Sequence, residues 1–163
     1  MSTSGFTYRG AALSIKIAIS GFLIFAVVGL GVAALQIYVR TGLTPEGALR
    51  HYRGDAETLQ YPMSFRELVE ITHAHAFTIP LLVLVLSAAL ALSSTSELVK
   101  RVVALALLAG GALELGLPWI VRYGPAWTVH LFLLAGALLA GGVFAAVGIP
   151  LYEMWGSRQA SDE

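Results

Sequence analysis

Four long apolar runs constrain this chain more than any other feature of its sequence. They lie at 17–39, 71–96, 102–121 and 123–152, and Glu114 is the one Asp, Glu, Lys or Arg residue inside them. A helix needs about 20 apolar residues to cross the hydrocarbon core of a bilayer. Backbone amides in lipid have to be hydrogen-bonded within their own segment, which only a helix provides here. The sequence therefore predicts an all-α integral membrane protein, a mostly antiparallel four-helix bundle.

The composition agrees with lipid as the main solvent. Hydrophobic residues make up 57% of the 163 residues and charged residues only 12%, whereas a soluble domain carries about 25% charged residues. The formal net charge is zero, so nothing indicates a nucleic-acid partner. The absence of cysteine excludes disulfides, thiolate metal ligands and a thiol nucleophile.

The polar connections predict a single domain over 1–157 and a polar tail at 158–163. Within it, the predicted spans are about 14–39, 67–93, 98–122 and 126–153. In the long connection between Arg40 and Arg66, Thr44-Pro45-Glu46 is typical of a helix start, so a short surface helix is expected from about 45 to 52. The ten lysines and arginines divide evenly between the two sides. The expected location is the bacterial inner membrane with both termini cytoplasmic.

Ionisable groups inside a membrane are costly, and each is therefore a candidate functional group. The candidates are Glu70, His73, His75, Glu114 and His130. With a helical rise of ~1.5 Å per residue, His73 and His75 lie roughly 10 and 14 Å past Arg66. Glu114 and His130 fall at similar depths from the same membrane face. Three helices are therefore expected to bring imidazole and carboxyl groups to one layer.

Helical geometry separates the two histidines of the second span. Glu70 and His73 are about 300° apart around a helix and share a face, whereas His73 and His75 are about 200° apart. We therefore expect only one of the two histidines to face the bundle centre. The competing interpretation is that each histidine simply forms a hydrogen bond with the backbone or a neighbouring side chain.

A b-type haem is the first chemistry that this layer predicts. Neutral imidazole binds haem iron, and axial histidines from two helices of a bundle hold the porphyrin between them. His73 or His75 together with His130 would supply the pair.

A metal ion without haem and a quinol are the other two candidates. Glu70-x-x-His73 has the spacing of a di-iron helix, and His73, Glu114 and His130 could bind a single copper, iron or zinc ion. Burial disfavours the charged form of a carboxyl group. Glu114 beside a histidine is therefore suited to taking a proton from a quinol hydroxyl.

Two resemblances add to these predictions. The segment Thr72-His73-Ala74-His75-Ala76-Phe77 resembles the His-Ala-His stretch of bacterial haem-binding membrane proteins related to the haem-copper oxidase and nitric-oxide-response families, which implies a haem ligand at His73 or His75. Other segments resemble small four-helix bacterial membrane proteins to which no activity is attached. They are His51-Tyr52-Arg53-Gly54, Glu67-Leu68-Val69-Glu70, Pro118-Trp119 and Leu151-Tyr152-Glu153-Met154-Trp155.

Together these observations predict a redox membrane subunit. It would hold haem b, or another metal, near the outer membrane face and exchange electrons with quinol or a partner cytochrome. One alternative is a non-enzymatic accessory subunit of a larger respiratory or photosynthetic complex. The other is a metal-binding or metal-transport membrane protein.

Overall fold

The computed structural model describes residues 6–156, and within them the chain is helical between short connections. The elements are α1 Leu13–Thr41, α2 Pro45–Arg53, α3 Phe65–Ala91, α4 Glu97–Tyr123, a 3-10 helix Ala126–His130, α5 Leu131–Leu151 and a π-helical turn Tyr152–Gly156. In this described part, four helical segments are long and apolar enough to cross a membrane: α1, α3, α4 and Ala126–Gly156. The predicted all-α membrane architecture and the short surface helix α2 are confirmed. The predicted polar tail at 158–163 lies outside the described residues.

Local sequence signals explain where the helices begin. The side chain of Thr44 caps α2 by accepting from the Gly47 N–H at 3.0 Å, and Pro45 follows in the first turn. Ser64 and Glu67 form a reciprocal capping box at the start of α3, with the Ser64 N–H donating to Glu67 Oε2 at 2.7 Å.

Helix α4 packs against both α3 and α5 at glycines. A Cβ added at Gly110 would lie 2.7 Å from the backbone nitrogen of Leu139, and one at Gly111 would lie 2.8 Å from the Ile79 side chain. These contacts place the α4 backbone directly against α5 on one side and against an α3 side chain on the other. Small residues that let helices approach closely are typical of packing in membranes.

The connection between α1 and α3 folds across the end of α4. The guanidinium of Arg53 donates to the carbonyl of Val121 at 2.7 Å and also to the carbonyl of Gly124. Arg122 donates in return to the carbonyl of Met63 at 2.9 Å. Arg53 thus satisfies carbonyls that α4 leaves unpaired at its end, and Arg122 ties the end of α4 to the residue before the N-cap of α3. We call the membrane face that carries residues 42–64 the loop side, and the opposite face the terminal side.

The terminal side is held by hydrogen bonds between distant segments. The Tyr8 hydroxyl donates to the carbonyl of Ala89 at 2.6 Å. Glu153 accepts from the backbone N–H of Ser94 at 2.8 Å and from its hydroxyl at 2.8 Å, which joins the π-helical turn to the α3–α4 connection. Burial, and then the nearby Glu153 carboxylate, raise the pKa of Tyr8, so its hydroxyl keeps the proton that it donates.

Helix α1 packs on the bundle through one half of its length. At the terminal side, Lys16 Nζ donates to the carbonyl of Met154 at 3.5 Å, and Trp155 Nε1 donates to Ser20 Oγ at 2.9 Å. In contrast, every residue from 31 to 40 is exposed. The loop-side half of α1 is therefore not packed into the other spanning helices.

Candidate functional site

Two contacts between α3 and α4 define the level of the candidate site. Trp119 Nε1 donates to Thr72 Oγ1 at 2.7 Å, and further into the membrane Ile79 lies against Gly111. Because the two helices are antiparallel, residues between these contacts on one helix face residues between them on the other. His75 and Glu114 occupy those positions, and they form what we call the His75–Glu114 layer.

His75 belongs to the stripe of α3 that packs into the bundle. Leu68, Val83 and Leu86 on this stripe are buried, and Ile79 is half-buried. His75 nevertheless remains exposed. The neighbouring helices therefore leave the His75 side chain uncovered. The same stripe is half-buried one turn deeper, at Ile79, and buried two turns deeper, at Val83.

The imidazole of His75 is oriented by its own helix. Its Nδ1 lies 2.8 Å from the carbonyl oxygen of Ile71. Because a carbonyl oxygen only accepts, Nδ1 carries the hydrogen, and in the neutral ring Nε2 keeps its lone pair. Histidines that bind metals usually make this second bond, which sets the tautomer and the ring orientation. Nε2 of His75 is therefore available to a ligand.

Glu114 lies on the packing stripe of α4, in line with Leu107, Gly110, Leu117 and Val121. Those four residues are buried, whereas Glu114 is half-buried. Its carboxylate is close enough to His75 for the two charges to interact. The two side chains thus lie on facing stripes of α3 and α4, and their convergence in one site stays a prediction.

Tyr52 adds a phenol that sequence reasoning missed. Its ring stacks on Phe132 with centroids 5.7 Å apart, which carries the hydroxyl-bearing side chain from α2 onto α5. Burial, followed by the Glu114 carboxylate, raises the pKa of Tyr52 to about 12. Burial, followed by the charge of Arg40, lowers the pKa of the neighbouring His51. The amphipathic pattern of α2 could have indicated that one face of this helix is buried. It could not have indicated that Tyr52 packs on Phe132, because that depends on how the connection between α1 and α3 folds.

The other candidate residues lie on exposed faces of their helices. Glu70 forms an ion pair with Arg66 at 2.8 Å, one turn away on the same helix. His73 is exposed, and its ring contacts Phe77 at 5.6 Å between centroids. His130 ends the 3-10 helix and is also exposed. Of the two histidines of the second span, His75 is the one on the packing stripe of α3, although both side chains are exposed.

These positions establish neither the predicted histidine pairs nor the predicted metal ligand set. Across residues 6–156, no three His, Asp or Glu side chains come close enough together to hold one metal ion. The set of Glu70, His73, Glu114 and His130 therefore stays a prediction. The groups that remain for the candidate site are the imidazole of His75, the carboxyl group of Glu114 on the facing stripe of α4 and, from α2, the phenol of Tyr52.

The exposed half of α1 leaves this layer uncovered on one side. His75 is ten residues into α3, which is about 15 Å from its start. Residues 31–34 of α1 reach the same depth, because α1 ends at Thr41 on the loop side. These residues are exposed and do not cover His75. A ligand can therefore approach the layer from the lipid.

Comparison with known proteins supports the membrane architecture. No curated protein matches the chain, and no solved structure matches it. The profile of a family described as a transmembrane helical domain matches residues 42–161, which is most of the chain and includes α2 to α5. This match supports the resemblance to a small transmembrane family. The chain belongs to the Aq_1264_TM family of transmembrane helical domains.

Proposed function

We propose that this protein is a membrane redox subunit that binds a b-type haem through His75. The proposal rests on the position, exposure and hydrogen bonding of the His75 side chain. It lies on the packing stripe of α3, stays exposed, and has Nδ1 engaged by the Ile71 carbonyl so that Nε2 is free. An imidazole nitrogen in this condition is suited to haem iron.

The residues around His75 fit such a group. Ile71 holds the ring orientation, and the carboxyl group of Glu114 lies half-buried on the facing stripe of α4. The exposed residues 31–40 of α1 leave room on the lipid side. A bound haem would supply one-electron transfer, with a partner cytochrome or another membrane subunit as the proposed exchange partner. Since the layer contains a single histidine, we propose His75 as the only axial protein ligand.

The absorption spectrum of the purified full-length protein tests this proposal. We expect a Soret band that shifts on reduction, in its high-spin form because one imidazole binds the iron. His75→Ala should abolish the band. His73→Ala and His130→Ala serve as matched controls and should retain it, since both histidines lie on exposed faces.

Two results would overturn the haem proposal. One is a wild-type protein without a Soret band, for which elemental analysis would then distinguish a copper, iron or zinc protein from one without metal. The other is a His75→Ala variant with an unchanged spectrum. Loss of the band in His130→Ala would instead restore the pair of axial ligands predicted from the sequence.

The proximity of Glu114 to His75 supports quinol binding as a second candidate function. A quinol hydroxyl donates to an acceptor, and both Nε2 of His75 and the Glu114 carboxylate accept. Oxidation to the quinone would release two protons, one to His75 and one to Glu114, as two electrons leave for an acceptor such as a partner cytochrome. Binding of a quinone analogue to Glu114→Gln and to Glu70→Gln tests this function. We expect weaker binding only in the first variant, because Glu70 is paired with Arg66 on an exposed face; equal binding by both variants would contradict it.

We further propose that the loop side faces outward, with both termini in the cytoplasm of a bacterial inner membrane. The absence of cysteine makes single-cysteine labelling direct. Glu57→Cys lies on the loop side and Glu97→Cys at the start of α4 on the terminal side. In intact cells an impermeant maleimide should label only the first variant, and the reverse result would invert the orientation.

A further inference from the structure

A pocket on the loop side lies outside the His75–Glu114 layer. It has a volume of about 470 Å³ and lies where α1 ends, against α2 and the connection that follows it. Its lining residues are Arg40, Thr41, Gly42, Thr44, Gly47, Arg50, Thr58 and Gln60. The pocket therefore combines two guanidinium groups with small and neutral polar residues.

Both arginines of this pocket lack a protein partner. Within residues 6–156, neither Arg40 nor Arg50 takes part in an ion pair or a side-chain hydrogen bond. The charge of Arg50 acts on the Asp55 carboxylate, which is engaged within its own turn. Asp55 accepts from the Glu57 N–H and from Thr58, each at 3.0 Å. Guanidinium donors without a partner favour a bound anion, and phosphate is a common one.

The acidic group near Arg40 is engaged in a different way. The charge of Arg40 acts on Glu67, but the Glu67 carboxylate already accepts from the Ser64 N–H and hydroxyl in the capping box. The negative charge that would otherwise pair with Arg40 is thus tied to the start of α3. Gln60, whose backbone pairs with Asp55, has a side-chain amide that adds a neutral donor to the pocket lining.

Two leucines in strained backbone conformations flank this anion pocket. Leu43 has φ 58° and Leu59 has φ 55°, and these are the two non-glycine residues with positive φ among those described. Their side chains are 58% and 83% exposed. Leucine is rare in this conformation, and exposure of its apolar side chain to water is unfavourable. Both leucines adjoin pocket-lining residues, at the depth where a membrane-spanning helix ends.

We infer that this pocket binds the phosphate of an anionic phospholipid headgroup, with Leu43 and Leu59 against the upper acyl chains. Arg40 ends the membrane-spanning part of α1 and therefore lies at headgroup level. Charge attracts the anionic lipid to Arg40 and Arg50, and apolar contact distinguishes the lipid from a free phosphate ion. This site is independent of any cofactor at His75.

Native mass spectrometry of the full-length protein in a non-ionic detergent tests the inference. The probes are phosphatidylglycerol and phosphatidylcholine with the same acyl chains. We expect preferential binding of phosphatidylglycerol, and a reduction in its affinity of about tenfold or more in Arg40→Gln and in Arg50→Gln, through loss of a charge-assisted contact. Arg66→Gln is the matched control and should bind normally. Equal binding of both lipids, or normal binding in both arginine variants, would overturn the site.

A second pair of variants separates a lipid from free phosphate. Asparagine tolerates positive φ, so Leu43→Asn and Leu59→Asn preserve the backbone while removing apolar side chains. The double variant should lose about tenfold in affinity for phosphatidylglycerol. Excess inorganic phosphate should displace little lipid from the wild type. Unchanged lipid affinity in the double variant, together with displacement by inorganic phosphate, would show a phosphate-ion site and overturn the lipid assignment.

Discussion

Substitution of Gly110 by alanine tests the packing that places Glu114 in the bundle. The new Cβ would lie 2.7 Å from the Leu139 nitrogen and 3.0 Å from its Cα. Both are backbone atoms, which cannot rotate out of contact as the end of a flexible side chain can. Helix α5 would therefore have to move back by about 0.7 Å to reach ordinary contact at 3.4 Å. Overpacking of this kind costs about 1–3 kcal/mol.

Gly116→Ala is the matched control on the same helix, because a Cβ there would meet nothing within 4 Å. Both variants gain the same helix propensity from alanine, so the difference between them reports the contact alone. Unfolding would be followed by tryptophan fluorescence in mixed micelles with an increasing fraction of dodecyl sulfate. We expect Gly110→Ala to be less stable than Gly116→Ala by about 1–3 kcal/mol. Equal free energies of unfolding would refute the close approach of α4 and α5.

Three further predictions concern groups on the loop side. Arg53→Gln should lower the free energy of unfolding by about 1.5–3 kcal/mol, since it removes charged donors from two carbonyls at the end of α4, whereas Arg66→Gln should change it by less than about 1 kcal/mol. A double-mutant cycle of Trp119→Phe and Thr72→Val should give a coupling of about 0.5–1.5 kcal/mol, and a coupling of zero would contradict the hydrogen bond. Because the pKa of Tyr52 is raised from 10.0 to about 12, the folded state holds its proton longer than the unfolded state does. The protonated phenol therefore contributes about 2–3 kcal/mol to the free energy of unfolding below pH 10, and this contribution is lost as the pH rises toward 12. Chemical denaturation at several pH values should show the loss, and Tyr52→Phe should abolish this pH dependence.

Hydropathy was sufficient to predict the architecture, because lipid leaves the backbone few alternatives to helices. The surface helix was also predictable, since Thr44 and Pro45 act through neighbouring atoms in the chain. Helical angles correctly indicated that His73 and His75 point in different directions. They could not indicate which one faces the bundle, because that depends on where α4 packs.

The parts of the site that sequence reasoning missed depend on long-range contacts. Tyr52 meets Phe132 only because the connection folds over the end of α4. Trp119 is half-buried and donates to Thr72 on the neighbouring helix, a contact that needs α3 and α4 side by side. His130 lies within the fourth spanning segment, at the end of the 3-10 helix that precedes α5, and its side chain is exposed. Local sequence patterns do not indicate such contacts between segments that are distant in the chain.

The two ends of α1 are held in different ways. At the terminal side, Lys16 and Ser20 bond the helix to the π-helical turn. At the loop side it continues through Gly42 into α2, which packs against α4 through Ala48 and Val121. Between these two attachments residues 31–40 stay exposed, so this stretch of α1 can change its path without disturbing buried contacts. The opening beside His75 therefore borders on a stretch of helix that is not packed in the core, whereas the interface between α4 and α5 is part of the core.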